Sequence, residues 1–253
     1  MGEHVAPTTP TKKKRSNVFW NIVGVVGELL ITFAFVIGLF SVWQLYWTTY
    51  QVSGQVSQTI ASYEEEHQPA KRTQGEVRTD DPPAFDREVG DGEVYGIVHV
   101  PTWDWMKIPL AEGTTSYVLD QGWAGHYDMT TQPGGVGNFS VAGHRRTYGN
   151  NFRWIDRLTQ GDKVVVEVDD RYLVYSMVSS EIIDATDPTQ MRVVAPVIDD
   201  ESWSEVPTER WMTMTTCHPE YGNWQRYIVH LKFESWTPKD TGVPAELVDE
   251  PTN

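Results

Sequence analysis

Cysteine is nearly missing, with one residue in 253. An intrachain disulfide is therefore impossible, and a cysteine-rich metal cluster is excluded. Positive charge is scarce too: 20 Lys and Arg stand against 35 Asp and Glu, for a formal net charge of -15. A nucleic-acid binder needs a basic footprint to displace counterions, so that class falls away. No internal repeat appears. Gly134-Gly135-Val136-Gly137 lacks the preceding strand and immediately following helix that a phosphate cradle needs. What is present is apolar: 40% hydrophobic residues, with 11 Trp and 11 Tyr, support a packed core rather than general disorder. The length suits one globular domain with extensions, or at most two small domains.

The apolar residues are unevenly spread. Residues 1–17 form a polar tail carrying Lys12, Lys13, Lys14 and Arg15. From Leu29 to Trp47 run 19 residues without a charge, a helix of roughly 28 Å and close to the hydrocarbon thickness of a bilayer. Phe19 and Trp20 stand at one end of the 18–47 segment, and Trp43, Tyr46 and Trp47 at the other, as aromatic belts do. The stretch exceeds the apolar region of a cleaved signal peptide, so an uncleaved transmembrane anchor is expected. Basic residues before the span and none immediately after it put the N-terminus in the cytoplasm and the remainder outside the cell membrane. Glu3 and Glu28 are the only acidic residues before position 48, so that remainder keeps 33 acidic against 16 basic residues.

Residues 48–92 read as an extracytoplasmic stalk. Val52, Val56, Ile60 and Tyr63 keep near-helical spacing, and Glu64-Glu65-Glu66, Pro69, Gly75 and Pro82-Pro83 then mark a polar linker. From 93 to 237 the pattern turns to β: Val94–Val100, Asn138–Ala142, Val164–Val168 and Tyr172–Val178 around an Asp169-Asp170 turn, Trp211–Thr216 and Arg226–Phe233. The clearest helix there is short, around Phe152, Ile155 and Leu158. Many short strands with turns between them imply an all-β domain, a sandwich or closed barrel. The proline-punctuated acidic tail, 238–253, reads as disordered.

Cys217 ends the strand Trp211–Thr216 and precedes His218-Pro219. Its plain reading is a small buried core residue; as a nucleophile it would need a neighbouring imidazole or guanidinium to favour the thiolate. His99, His126, His144 and His218 compete for that partner role. His218 adjoins the thiol in sequence, but neighbouring strand residues face opposite sides, so it ranks behind His144, which follows Gly143 at a strand end where the backbone can approach closely. Arg226 opens the next strand and can share a groove with Cys217 if the two strands pair antiparallel, favouring the thiolate and binding a developing oxyanion. Asp199, Asp200, Glu201, Glu205 and Glu209 could offer oxygens to calcium, but in so acidic a domain a solvated loop is the simpler reading.

Thr213-Met214-Thr215-Thr216-Cys217 resembles the TLxTC signature of sortases, the membrane-anchored cysteine transpeptidases of Gram-positive bacteria, with Met214 where Leu is usual. Ala142-Gly143-His144-Arg145 resembles the family's histidine motif, and Arg226 falls at its arginine. The likeness runs from Tyr95 to about Trp236; His218-Pro219 and Gly125-His126-Tyr127 are similar to the actinobacterial class E subgroup. The resemblance implies an eight-stranded closed β-barrel with short helices behind one transmembrane helix. It implies cleavage of a C-terminal sorting signal, LAxTG- or LPxTG-like, between Thr and Gly. Cys217 would form the thioacyl enzyme, His144 would shuttle the proton, and Arg226 would hold the carbonyl. Partners would be secreted proteins bearing that signal and an amine acceptor such as lipid II. Exchanging one amide for another requires no cofactor or metal. Tyr127, Tyr148, Tyr221 and Trp224 are expected to line the groove. The remaining readings are a non-enzymatic binding domain with a structural cysteine, and a cysteine peptidase using water as acceptor.

Overall fold

A computed structural model of the chain describes residues 18–67 and 71–251. The basic run Lys12–Arg15, and with it the 1–17 tail, lies outside the described residues. The chain divides into a unit ending at Trp43 and a second unit from Gln44 onward.

The first unit is helix α1, Val18–Val42, which buries no residue and is long and apolar enough to cross a membrane. A helix apolar all round needs an apolar surrounding. Its few hydroxyls fold back onto their own helix: Thr32 Oγ1 donates to Glu28 O at 2.8 Å, and Ser41 Oγ to Ile37 O at 2.9 Å.

In the second unit, eight strands close a mixed barrel: β1 (Val94–Val100), β2 (Met106–Glu112), β3 (Ala124–His126), β4 (Gly137–Ala142), β5 (Lys163–Val168), β6 (Arg171–Asp184), β7 (Arg210–His218) and β8 (Gln225–Pro238). Their order around the wall is β1-β2-β3-β4-β7-β8-β6-β5, with β5 pairing back onto β1. β2–β3 and β4–β7 are parallel; the other pairs are antiparallel. Alternate residues fill the interior: Tyr95, Phe139, Val141, Val164, Val166, Leu173, Met212, Met214, Val229 and Leu231 belong to one buried cluster. The Asp169-Asp170 turn joins β5 to β6 as the sequence suggests, and the short helix after Phe152 is a single 3-10 turn, Ile155–Arg157.

Two expectations are corrected. Residues 48–92 are not a free stalk. Helix α2, Thr48–His67, buries Val52 and Tyr63. Lys107 Nζ donates to Glu64 Oε1 at 2.8 Å, and Gln55 Nε2 to Gln121 Oε1 at 2.6 Å. Gly122, at φ +78°, makes room for this helix, since a Cβ there would sit 2.7 Å from Val52 Cγ1. The strand-like strap that follows exchanges 2.9 Å backbone hydrogen bonds between Arg78 and Trp236 and packs Phe85 beside Tyr95. Nor is the tail disordered as far as it is described, to Pro251. Val243 and Leu247 bury against Val165, Tyr172 and Val174 on the outer face of β5 and β6. Both segments are polar on average, yet their few apolar residues fall where the barrel wall is apolar on both faces.

Under this wrapping lies a sealed charge network. His99 Nε2 and Nδ1 reach Glu167 Oε2 and Glu250 Oε1, each at 2.9 Å. Lys239 pairs with Glu167 at 2.6 Å, and Lys107 with Glu250 at 3.3 Å. Burial by itself pushes the His99 imidazolium down, but hydrogen bonds and charge from Glu167 and Glu250 outweigh it and raise the group. Burial likewise works against the Glu167 carboxylate, yet His99 and Lys239 hold it at about 2.

Candidate active site

Strand β7 has two faces. Met212 and Met214 point into the barrel, so Thr213, Thr215 and Cys217 face outward. Cys217 is half-buried at the strand's end. Its cross-strand partner on β8 is Arg226, and directly opposed residues present side chains on the same face. The Arg226 Nη1 donates to Asn223 O at 2.7 Å and Gln225 O at 2.9 Å.

On the other flank β4 runs parallel to β7, with Ala142 level with Thr215. The pairing continues one bond further, Gly143 N–H donating to Thr215 O at 3.1 Å, while Thr216 Oγ1 donates to Gly143 O at 2.6 Å. His144 follows two residues after Ala142 and Cys217 two residues after its partner Thr215, so both leave the same parallel pair in the same direction. A Cβ on Gly143 would meet the Phe152 ring at 2.8 Å, so any larger residue would have to push that ring aside. His144 Nε2 donates to Asp120 Oδ1 at 2.8 Å, since a carboxylate only accepts, and its ring packs at a tilt against Tyr148 with centroids 5.4 Å apart.

The other three histidines do not face this edge. His99 lies in the sealed network. His126 is buried, with Nδ1 on Glu112 Oε2 at 2.9 Å and Nε2 against Thr131 O at 3.1 Å. His218 follows strand alternation to the opposite face, where Arg145 Nη1 donates to its Nδ1 at 2.8 Å and Arg145 Nη2 donates to Asp156 Oδ2 at 2.7 Å. Burial, then the Arg145 charge, lowers the His218 imidazolium.

Two participants carried little or no sequence signal. Asp120, which no sequence pattern marks, ends the helical turn Ser116–Leu119 and reaches His144 from it. Tyr127 holds Thr215 Oγ1 at 2.9 Å and feels the charges of both Arg226 and Cys217. Burial pushes its phenol up, so it stays a hydrogen-bonding hydroxyl. Tyr127 also packs with Trp203 against Ile183, Val193, Val194 and Ile228, an apolar wall beside Arg226 built by the 3-10 segment Pro188–Val194. Asn138 Nδ2 pins that segment by donating to Val193 O and Ala195 O at 3.1 Å each.

Tyr221 and Trp224 sit exposed in the β7–β8 loop. The acidic stretch 199–209 does not converge on a point: Asp199 pairs with Arg192, Asp200 caps Ser202 and Glu205, and Glu209 pairs with Lys232 at 2.5 Å. No group of three metal-binding side chains occurs among the described residues.

Comparison with known proteins meets this geometry on the same stretch of chain. A family model described as the sortase domain matches residues 98–234. Sortase SrtE1 of Streptomyces coelicolor is 36% identical over 229 residues, which cover 88% of this chain and 60% of that protein. Sortase SrtE2 of the same organism is 30% identical over 223 residues, 86% of this chain and 84% of its own length. Among solved structures, the SrtA sortase from Actinomyces oris superimposes with a TM-score of 0.64 at 43% identity, over 70% of this chain and all of that one. Sortase E1 of Streptomyces coelicolor, with a tripeptide in its active site, gives 0.55 at 38% identity, over 63% and 99%. The chain therefore belongs to the sortase family of cysteine transpeptidases, its motifs falling on one edge of the family's β-barrel.

Proposed function

We propose that this chain is a membrane-anchored transpeptidase that cleaves a C-terminal sorting signal of the LAxTG or LPxTG type between Thr and Gly and joins the new threonyl end to an amine. What supports the reading is the pairing of Cys217 with Arg226 across β7 and β8, together with the parallel β4–β7 register that ends two residues before His144 and Cys217. The Cys217 thiolate adds to the threonine carbonyl carbon, and the resulting oxyanion is held by the Arg226 guanidinium, released from its loop carbonyls. The C–N bond to glycine breaks as His144 protonates the departing amine, leaving a thioester. An incoming amine then attacks that carbonyl, gives its proton to His144, and the C–S bond breaks to restore the thiolate. Asp120 on Nε2 fixes the imidazole orientation and leaves Nδ1 as the atom that exchanges the proton.

Residues 18–47 form the anchor in this reading, with residues 1–17 in the cytoplasm and the 93–237 barrel outside, where secreted client proteins and a lipid II amine are found. The test is a peptide carrying LAxTG, offered with an amine. The wild-type chain yields a Cys217 thioester by mass spectrometry and a ligated product; Cys217→Ala yields neither. Cleavage by Cys217→Ala at the wild-type rate would overturn the thiol mechanism, and product formed only with water would assign a hydrolase.

A further inference from the structure

A basic cavity adjoins the catalytic edge. It measures about 600 Å³ and is lined by Thr49, Tyr50, Arg146, Asn150, Arg153 and Tyr221. Arg146 lies two residues after His144, and Tyr221 four after Cys217, so both catalytic strand ends feed directly into its wall. The two guanidiniums share a single carboxylate oxygen: Glu220 Oε1 is 2.7 Å from Arg146 Nη2 and 3.6 Å from Arg153 Nε. One positive charge is therefore left over in a domain whose charge is otherwise strongly negative. Arg146 stacks over the Tyr221 ring at 4.5 Å and donates to its hydroxyl, yet its Nε is buried without a hydrogen bond among the described residues. The loop between them is held in left-handed backbone conformations at Thr147 (φ 70°), Tyr148 (φ 43°) and Asn150 (φ 53°), a strain that clusters at functional sites. The remaining wall is the first turn of α2, which starts six residues after α1 ends.

The geometry points to an acceptor subsite in which Arg146, Arg153 and Tyr221 bind a phosphate or diphosphate group carried by the incoming amine. The inference rests on the transpeptidase reading. Paired guanidiniums match phosphate oxygens with bidentate forks, and an excess cation set in an acidic domain favours an anion beside it. Glu220 is the internal anion that such a ligand displaces. Loss of the arginines and loss of Glu220 must then act with opposite sign.

Full-length protein in detergent, supplied with an LAxTG peptide, is offered 3-aminopropyl diphosphate or n-propylamine as acceptor. The diphosphate amine is preferred in kcat/KM by about tenfold or more, as charge-assisted contacts allow, and inorganic pyrophosphate competes with it. Arg153→Gln and Arg146→Gln shrink that preference toward unity, whereas Glu220→Gln widens it. Arg153 is part-exposed, so its variant reports even if Arg146→Gln folds poorly. A wild-type preference near unity, no response to Arg153→Gln, or a Glu220→Gln shift in the same direction as arginine loss overturns the subsite. So does loss of binding to phosphatidylglycerol vesicles in Arg153→Gln with the amine preference intact, which assigns the cations to bulk headgroups. The Cys217 thioester is trapped in parallel: its absence in wild type sinks the underlying reaction, and its presence with a flat preference sinks the subsite alone.

Discussion

The outer wall of the barrel is treated in two opposite ways. Over β1, β5 and the first half of β6 it is sealed by α2, the strap and the C-terminal segment, and the histidine there, His99, keeps a 3% exposed side chain between two carboxylates. Over the ends of β4, β7 and β8 it is open, and His144 keeps a 26% exposed side chain against one carboxylate that is itself 35% exposed. The chemistry of the two clusters is similar, imidazole with carboxylate with cation. Burial decides the outcome. A histidine bonded at both nitrogens in a dry site ties segments together, whereas one bonded at a single nitrogen on the open edge is placed to pass a proton.

Exchanging side chains in each region should break activity in one and folding in the other. At the open edge, Cys217→Ala is expected to lower transpeptidation by about 10⁴-fold or more, and His144→Ala or Arg226→Ala by about 10²- to 10⁴-fold, with thermal unfolding little changed. A comparable loss of stability in any of the three would mean that the open edge is structural after all. On the sealed side, Leu247→Ala removes a 2% exposed side chain and should lower stability by about 2–4 kcal/mol in chemical denaturation. A tail that did not pack would register nothing. Glu250→Gln leaves His99 and Lys107 each short of a carboxylate, and should cost about 1–3 kcal/mol in the same measurement.

How much of this could be read in the residues follows the same division. The strands of the sealed wall announce themselves, because a strand apolar on both faces, such as Lys163-Val-Val-Val-Glu-Val168, reads as a continuous run. The trio proposed as catalytic is named through the resemblance, and strand alternation sends His218 to the face opposite Cys217. Strand β2 was not legible, because Pro109 sits in its middle and pairs with Ile97 without a backbone donor; β3 is three residues long and carries no periodicity. The wrapping segments were misread because their burial depends on a few residues, Val52, Tyr63, Phe85, Val243 and Leu247, spread through charged and proline-rich sequence. Asp120 was invisible because only the closed barrel brings its turn to His144.

The smallest expected effect is also the one that most directly contrasts the two walls, because His99 and His218 titrate with opposite sign. His99 is raised in the folded chain, so its contribution is full below the unfolded value of about 6.5 and is lost as pH rises through the higher folded value. His218 is lowered, first by burial and then by Arg145, so its contact with Arg145 contributes above about pH 6.5 and is lost as acid charges the ring. Between pH 8 and pH 5.5 the sealed wall gains stability while the layer beneath the open edge loses it. Denaturant midpoints across that range should therefore separate two variants. His99→Asn removes the gain toward acid, and His218→Asn removes part of the loss, the rest belonging to His230, which burial also lowers. Each change is of order 1 kcal/mol or less, the scale of one hydrogen bond exchanged against water. If both variants shifted the pH dependence in the same direction, the two walls would not differ in the way their histidines imply.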